Sequence, residues 1–216
     1  PCGVDLSTFR PIDMEDARKR LGLNGERVIL CVGRVEPIKG LELLLNAAAT
    51  MEDKDSLKVL MVGGDLAKDL EVKRLQGLAR ELGVEETIEF VGKEEQHLLP
   101  IYYNAADVCV VPSHYESFGL VALEAMACGT PVVASRVGGL STLVQHGRTG
   151  YLMNGRCPEP LADSLEIILS SAPLQRSMGF AARRRAEDMG WERVAEQIET
   201  LYEDLVNDTG STPEGD

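Results

Sequence analysis

The chain has 216 residues, 44% of them hydrophobic, enough for one well-buried domain and short for two. Its 22 basic residues face 35 acidic ones, a net charge of −13, which argues against a broad nucleic-acid or membrane-surface footprint, so an anionic ligand needs locally placed cations. The five cysteines (Cys2, Cys31, Cys109, Cys128, Cys157) show no C-x-x-C spacing and read as reduced thiols of a cytoplasmic protein, and no run of about 18 apolar residues is available to span a membrane.

In chain order, short apolar runs alternate with helical patterns. Strands are expected at residues 28–33, 57–63, 88–92, 108–112 and 132–135, with an edge strand at 150–153. Helices are expected at 41–51, 70–82, around 97–104, 120–128, briefly at 140–146, then at 161–169, 174–186 and 191–206. Repeated βα units with fully apolar strands imply an α/β fold, a Rossmann-like parallel sheet with helices on both faces, whose ligands bind beyond the carboxyl ends of the strands. Residues 1–15 read as a connecting segment, 16–206 as the domain and 207–216 as a disordered tail.

The stretch from His114 to Pro131 packs a strand exit, a glycine turn and a helix together. Ser117 is expected to cap that helix, and the N–H groups of Phe118, Gly119 and Leu120 offer partial positive charge to a phosphate or a polar sugar. Glu116 precedes the helix and Glu124 lies inside it, so the two carboxylates reach different parts of one elongated ligand. An acid at a helix start is also an ordinary dipole partner, which fits Glu116 better than Glu124 on its apolar helix. A second motif, Gly33-Arg34-Val35-Glu36-Pro37-Ile38-Lys39-Gly40, sets Arg34 at a strand end and Lys39 at the start of the next helix. There both can converge on a diphosphate, or simply solubilise a loop. His97, His114 and His146 lack ligand spacing, so no metal site is expected. Neither G-x-G-x-x-G nor G-x-x-x-x-G-K-[ST] occurs.

Pro112-Ser113-x-x-Glu116-Ser117-Phe118-Gly119-Leu120-Val121-x-Leu123-Glu124-Ala125-Met126-Ala127-x-Gly129-x-Pro131-Val132-Val133 resembles the nucleotide-sugar site of retaining GT-B glycosyltransferases, glycosyltransferase family 4. The resemblance implies a pyrophosphate clamp of Arg34 and Lys39 in place of a metal, with Glu116, Arg34 and Lys39 as the catalytic set. It implies a Glu116 that orients sugar hydroxyls, a Glu124 that holds the ribose, and loops at Gly63 and at Val91 to Lys93 beside the nucleotide. No cofactor follows from it, since the nucleotide sugar is a substrate. Pro1-Cys2-Gly3-Val4-Asp5 resembles the Pro-Asn-Gly-Val-Asp with which these enzymes enter their second domain, Cys2 replacing Asn. That implies a C-terminal half whose partner is an N-terminal GT-B domain of the same protein, with the helix at 191–206 crossing back to it and no transfer by the isolated half. Gly138-Gly139-Leu140-Ser141-Thr142 departs from the family's Gly-Gly-x-Pro-Glu and resembles the sucrose-phosphate-synthase and inositol-phosphate-transferase branches, which favours a UDP-sugar. A stand-alone nucleotide-sugar binding module, half of a GT-B sugar-nucleotide epimerase and a glycosidase-style carboxylate pair are the alternatives.

Overall fold

A computed structural model describes residues 2–54 and 56–209. Strands β1 (Arg27–Val32), β2 (Leu57–Val62), β3 (Ile88–Gly92), β4 (Val108–Val111), β5 (Val132–Ser135) and β6 (Gly150–Met153) form one sheet in the order β3-β2-β1-β4-β5-β6. Every neighbouring pair is parallel. Alternate residues of each central strand enter opposite cores: Val28 and Leu30 of β1 join one buried cluster, Ile29 and Cys31 the other. A strand buried on both faces cannot afford a polar side, which is why these runs read as continuously apolar.

Helices α1 (Met14–Arg20), α4 (Leu99–Ala105), α5 (Leu120–Ala127), α6 (Leu140–Leu143) and α8 (Ala172–Glu187) contribute to the first cluster. Helices α2 (Leu41–Thr50), α3 (Leu70–Glu81) and α7 (Pro158–Leu169) cover the other face. After β1 the chain leaves to the α2 face, whereas after β4, its sheet neighbour, it leaves to the α5 face. The two connections diverge and open a crevice above the carboxyl ends of β1 and β4, the place where such sheets bind ligands.

The expected strands and long helices are present within a few residues. The helix expected around 97–104 begins as a 3-10 turn, Gln96–Leu98, that continues into α4 with Pro100 in its first turn. Helix α6 ends at Leu143, short of the expected residue 146, and the His146 ring instead accepts a hydrogen bond from the Leu152 N–H at 3.0 Å.

Helix α1 was not expected, because Ala17 is its one buried residue and no apolar stripe announces it. It is held by polar groups. The Asp13 carboxylate caps it at Asp16 N–H, and Arg18 donates to Ala105 O at 2.9 Å and to Asp107 Oδ2 at 2.7 Å. The opening segment is also docked on the domain: Val4 N–H donates to Met189 O at 3.0 Å, Trp191 N–H donates to Val4 O at 3.2 Å, and Ile12 N–H donates to Asn104 Oδ1 at 2.8 Å. Asp5 accepts from the backbone and hydroxyls of Ser7 and Thr8, which hold its carboxyl well below the usual carboxylate range.

Helix α9 (Trp191–Thr209) runs past residue 207, where a disordered tail was expected; the rest of that tail, 210–216, lies outside the described residues, as does Pro1 of the opening motif. Among the described residues no helix is long and apolar enough to cross a membrane.

Candidate nucleotide-sugar site

The crevice is built by loops that approach one another too closely for side chains. Lys39 ends a 3-10 turn, Pro37–Lys39, and Gly40 follows with φ +67°, where a Cβ would run into the Pro112 carbonyl oxygen. His114 N–H donates to Ile38 O at 2.8 Å, tying the loop after β4 to the same turn. On the other side, Gly139 N–H donates to Glu116 O at 3.1 Å, and a Cβ on Gly138 would collide with that same carbonyl. The segment carrying Glu116 is therefore gripped between the loops following β1 and β5.

Lys39 and Glu116 meet there. The Lys39 ammonium donates to Glu116 Oε2 at 2.7 Å, with the two side chains 23% and 19% exposed. Arg34 behaves differently: its side chain is 75% exposed and its Nη1 lies 2.7 Å from Glu36 Oε1. Arg34, Lys39, Glu116, Gly33 and Ser113 line a crevice of about 20 Å³. Gly33 and Arg34 also border an adjoining cavity of about 670 Å³, together with Gly63, Gly64, Lys93 and Glu94. Gly33 and Arg34 thus border both spaces, with Lys39 on the first and the strand-end glycines Gly63 and Gly64 on the second. Val91 is not among the lining residues of the second; its side chain packs on the core, as does that of Phe118.

Ser117 does not cap α5. Gly119, at φ 94°, occupies the cap position with no side-chain hydrogen bond, and Ser117 stands two residues upstream, too far back for its hydroxyl to serve the first turn. A left-handed cap residue is what lets the chain turn sharply from Glu116 into the helix, and glycine adopts it without strain. The N–H groups of Phe118, Gly119 and Leu120 find no acceptor among the described residues, so they remain available to a ligand oxygen.

Glu124 lies further along α5, half-buried, and the Tyr103 hydroxyl donates to its Oε2 at 2.7 Å. This carboxylate on an apolar helix is thus hydrogen-bonded within the chain. Burial pushes its pKa up, and the bond from Tyr103 opposes the rise. Tyr103, which no motif singled out, is fully buried, and burial together with Glu124 raises its phenol well above the ordinary value. Among the described residues no group of three or more His, Cys, Asp or Glu is placed to hold a metal.

The sequence matches the family glycosyl transferases group 1 over residues 13–185. It is 46% identical over 209 residues to the D-inositol 3-phosphate glycosyltransferase of Geodermatophilus obscurus, covering 94% of this chain and 46% of that protein. Among solved structures it is similar to a sucrose-phosphate synthase from Thermosynechococcus elongatus, at 40% identity and a TM-score of 0.87, covering 96% of this chain and 52% of the other. It is also similar to Anabaena HepE in complex with UDP-glucose, at 28% identity and a TM-score of 0.83, covering 93% and 56%. The chain spans about half the length of the curated relatives it matches. Family match, relatives and a Rossmann-like sheet of GT-B type agree: the chain belongs to the group 1 glycosyl transferases.

Proposed function

We propose that this chain is the C-terminal, donor-binding half of a retaining, metal-independent hexosyltransferase that uses a UDP-sugar, completed by an N-terminal GT-B domain of the same protein. The observation that carries the reading is the Lys39–Glu116 pair at 2.7 Å, at the point where the sheet order reverses and just before the free amides of residues 118–120 in the chain. A cation, a carboxylate and a set of N–H donors suit a diphosphate joined to a sugar. The UDP-glucose complex of the similar Anabaena protein supports the class of ligand.

In this reading Lys39 and Arg34 take up the charge that develops on the departing diphosphate, and the amides of Phe118 to Leu120 bind phosphate and sugar oxygens. Such electrostatic help acts where charge appears as the glycosidic bond breaks. Glu116 orients sugar hydroxyls and Glu124 accepts from the ribose. The acceptor attacks from the face the nucleotide leaves, between this half and its partner domain. Lys39 and Arg34 stand where a metal would otherwise neutralise the phosphates.

Calorimetric titration of the chain with UDP tests the proposal. UDP binding that is unchanged by chelator supports it, as does sugar transfer that appears when a separately expressed N-terminal half is added. No binding of UDP or UDP-sugars at millimolar concentration, or efficient transfer by this chain alone, overturns it.

A further inference from the structure

We propose that Tyr103 is a positioning residue for nucleotide recognition, acting through Glu124 to make the site selective for a ribose with both hydroxyls; the inference rests on the donor-site reading above. Tyr103 has no exposed surface and sits in the last turn of α4. Three contacts fix it. Its carbonyl accepts from Thr130 Oγ1 at 2.7 Å, its ring meets Phe9 edge-on with centroids 6.0 Å apart, and its hydroxyl donates to Glu124 Oε2 at 2.7 Å. A phenol has one proton to donate, and here it is committed to the carboxylate.

The surroundings of Glu124 leave that bond without a substitute. Besides Tyr103, the titratable groups that face it are the thiols of Cys109 on β4 and Cys128 at the end of α5, both pushed up by burial and therefore neutral. Arg183 of α8 approaches Cys128, but its guanidinium is engaged by the carbonyls of Phe9 and Ala127 and by Glu187. No cation pairs with Glu124 among the described residues. A half-buried carboxylate without a counter-ion tends to take up a proton, and a neutral acid is a weaker acceptor for two adjacent hydroxyls than a carboxylate. The Tyr103 hydroxyl favours the ionised form, occupies one oxygen, and leaves the other to accept from the vicinal diol.

Tyr103→Phe keeps the ring, its contact with Phe9 and the main-chain bond from Thr130, and removes one oxygen. UDP and 2′-deoxy-UDP are titrated calorimetrically into the wild-type chain, Tyr103→Phe, Glu124→Gln and the double variant across a pH series. The expected result is UDP binding weakened about tenfold in Tyr103→Phe, in the range for a hydrogen bond to a charged group. Binding of 2′-deoxy-UDP should change little, and the double variant should be no weaker than Glu124→Gln. The acid-side loss of UDP affinity should begin at higher pH in Tyr103→Phe than in wild type, because the bond that favours the carboxylate is gone. A structural role alone would not move that profile.

If Tyr103→Phe binds UDP as wild type at every pH while Glu124→Gln binds it weakly, the positioning role is overturned and the donor site stands. If neither variant affects UDP, the assignment of Glu124 falls as well. Should Tyr103→Phe fail to fold, replacing tyrosine by 3-fluorotyrosine biosynthetically makes the phenol a stronger donor at nearly constant shape. The acid-side loss must then move to lower pH, and an unmoved profile overturns the inference.

Discussion

The Lys39 ammonium and the Glu116 carboxylate are hydrogen-bonded to each other at 2.7 Å, each side chain about four-fifths buried. Two groups expected to serve opposite ends of a sugar diphosphate are thereby kept in place by one another. A diphosphate must compete with Glu116 for Lys39.

That competition separates the two residues. Lys39→Ala is expected to weaken UDP by about 1.5–3 kcal/mol, the range for hydrogen bonds to charged groups. Glu116→Gln is expected to bind UDP at least as tightly as wild type, since it frees the ammonium, and to lose its function in the sugar-transfer step. Arg34 pairs with Glu36 while 75% exposed, an arrangement worth little, so it can swing to a phosphate at small cost. Arg34→Ala should therefore show most of its own charge-assisted loss. Calorimetry with UDP on the three variants, and transfer rates in the two-domain protein, check these outcomes.

Glycines of this chain fall into opposite classes. Gly77, inside α3, has open space around it, and Gly77→Ala should stabilise the chain by about 0.5–1 kcal/mol. Gly40→Ala meets both a left-handed backbone and the Pro112 carbonyl, and should destabilise by about 2–3 kcal/mol. It should also weaken UDP, because Lys39 is its neighbour. Urea denaturation of the two variants decides the signs.

Glu124 makes stability depend on pH in a definite direction. Its pKa is raised by burial in the folded chain, so between the ordinary carboxylate value and that raised value the folded state binds more protons than the unfolded one. The contribution of this group is thus fullest below the ordinary value and is lost as pH rises through the raised one. Glu124→Gln is neutral throughout, so it should be more stable than wild type at neutral pH. The difference should shrink towards zero at about pH 4 and below, where the acid is mostly protonated in both states. Paired denaturation curves at the two pH values measure it.

The cysteines supply a probe of unfolding. Cys31 and Cys128 are pushed up to about 12 by burial, and Cys109 is also buried and raised, whereas Cys157 is exposed and Cys2 half-buried. A thiol reagent at neutral pH should modify Cys2 and Cys157 promptly. The three buried thiols should follow the denaturation curve, and prompt modification of any of them in the native chain would contradict the core described above.

The α/β class, the strands, the placing of Arg34, Lys39 and Glu116 near strand or helix ends and that of Glu124 inside its helix were legible in the sequence alone. Strand runs such as Val28–Leu30 and Val108–Val111 are apolar without interruption because both faces are buried, and a glycine or proline marks where each ends. Local composition carries such information because its cause is local. Helix α1 was invisible for the converse reason: its cap at Asp13 is weakly signalled, and its attachment depends on Arg18 reaching Asp107, 89 residues away. Ser117 was misread as the cap because a favourable residue type says nothing of φ, and the turn needed the positive φ that Gly119 provides. The pairing of Lys39 with Glu116, across 77 positions, and of Tyr103 with Glu124, across 21, was decided by tertiary structure. Each residue is an ordinary member of its own element; the bonds exist because β1 and β4 lie side by side and α4 packs on α5, relations set by the sheet order and the shared core.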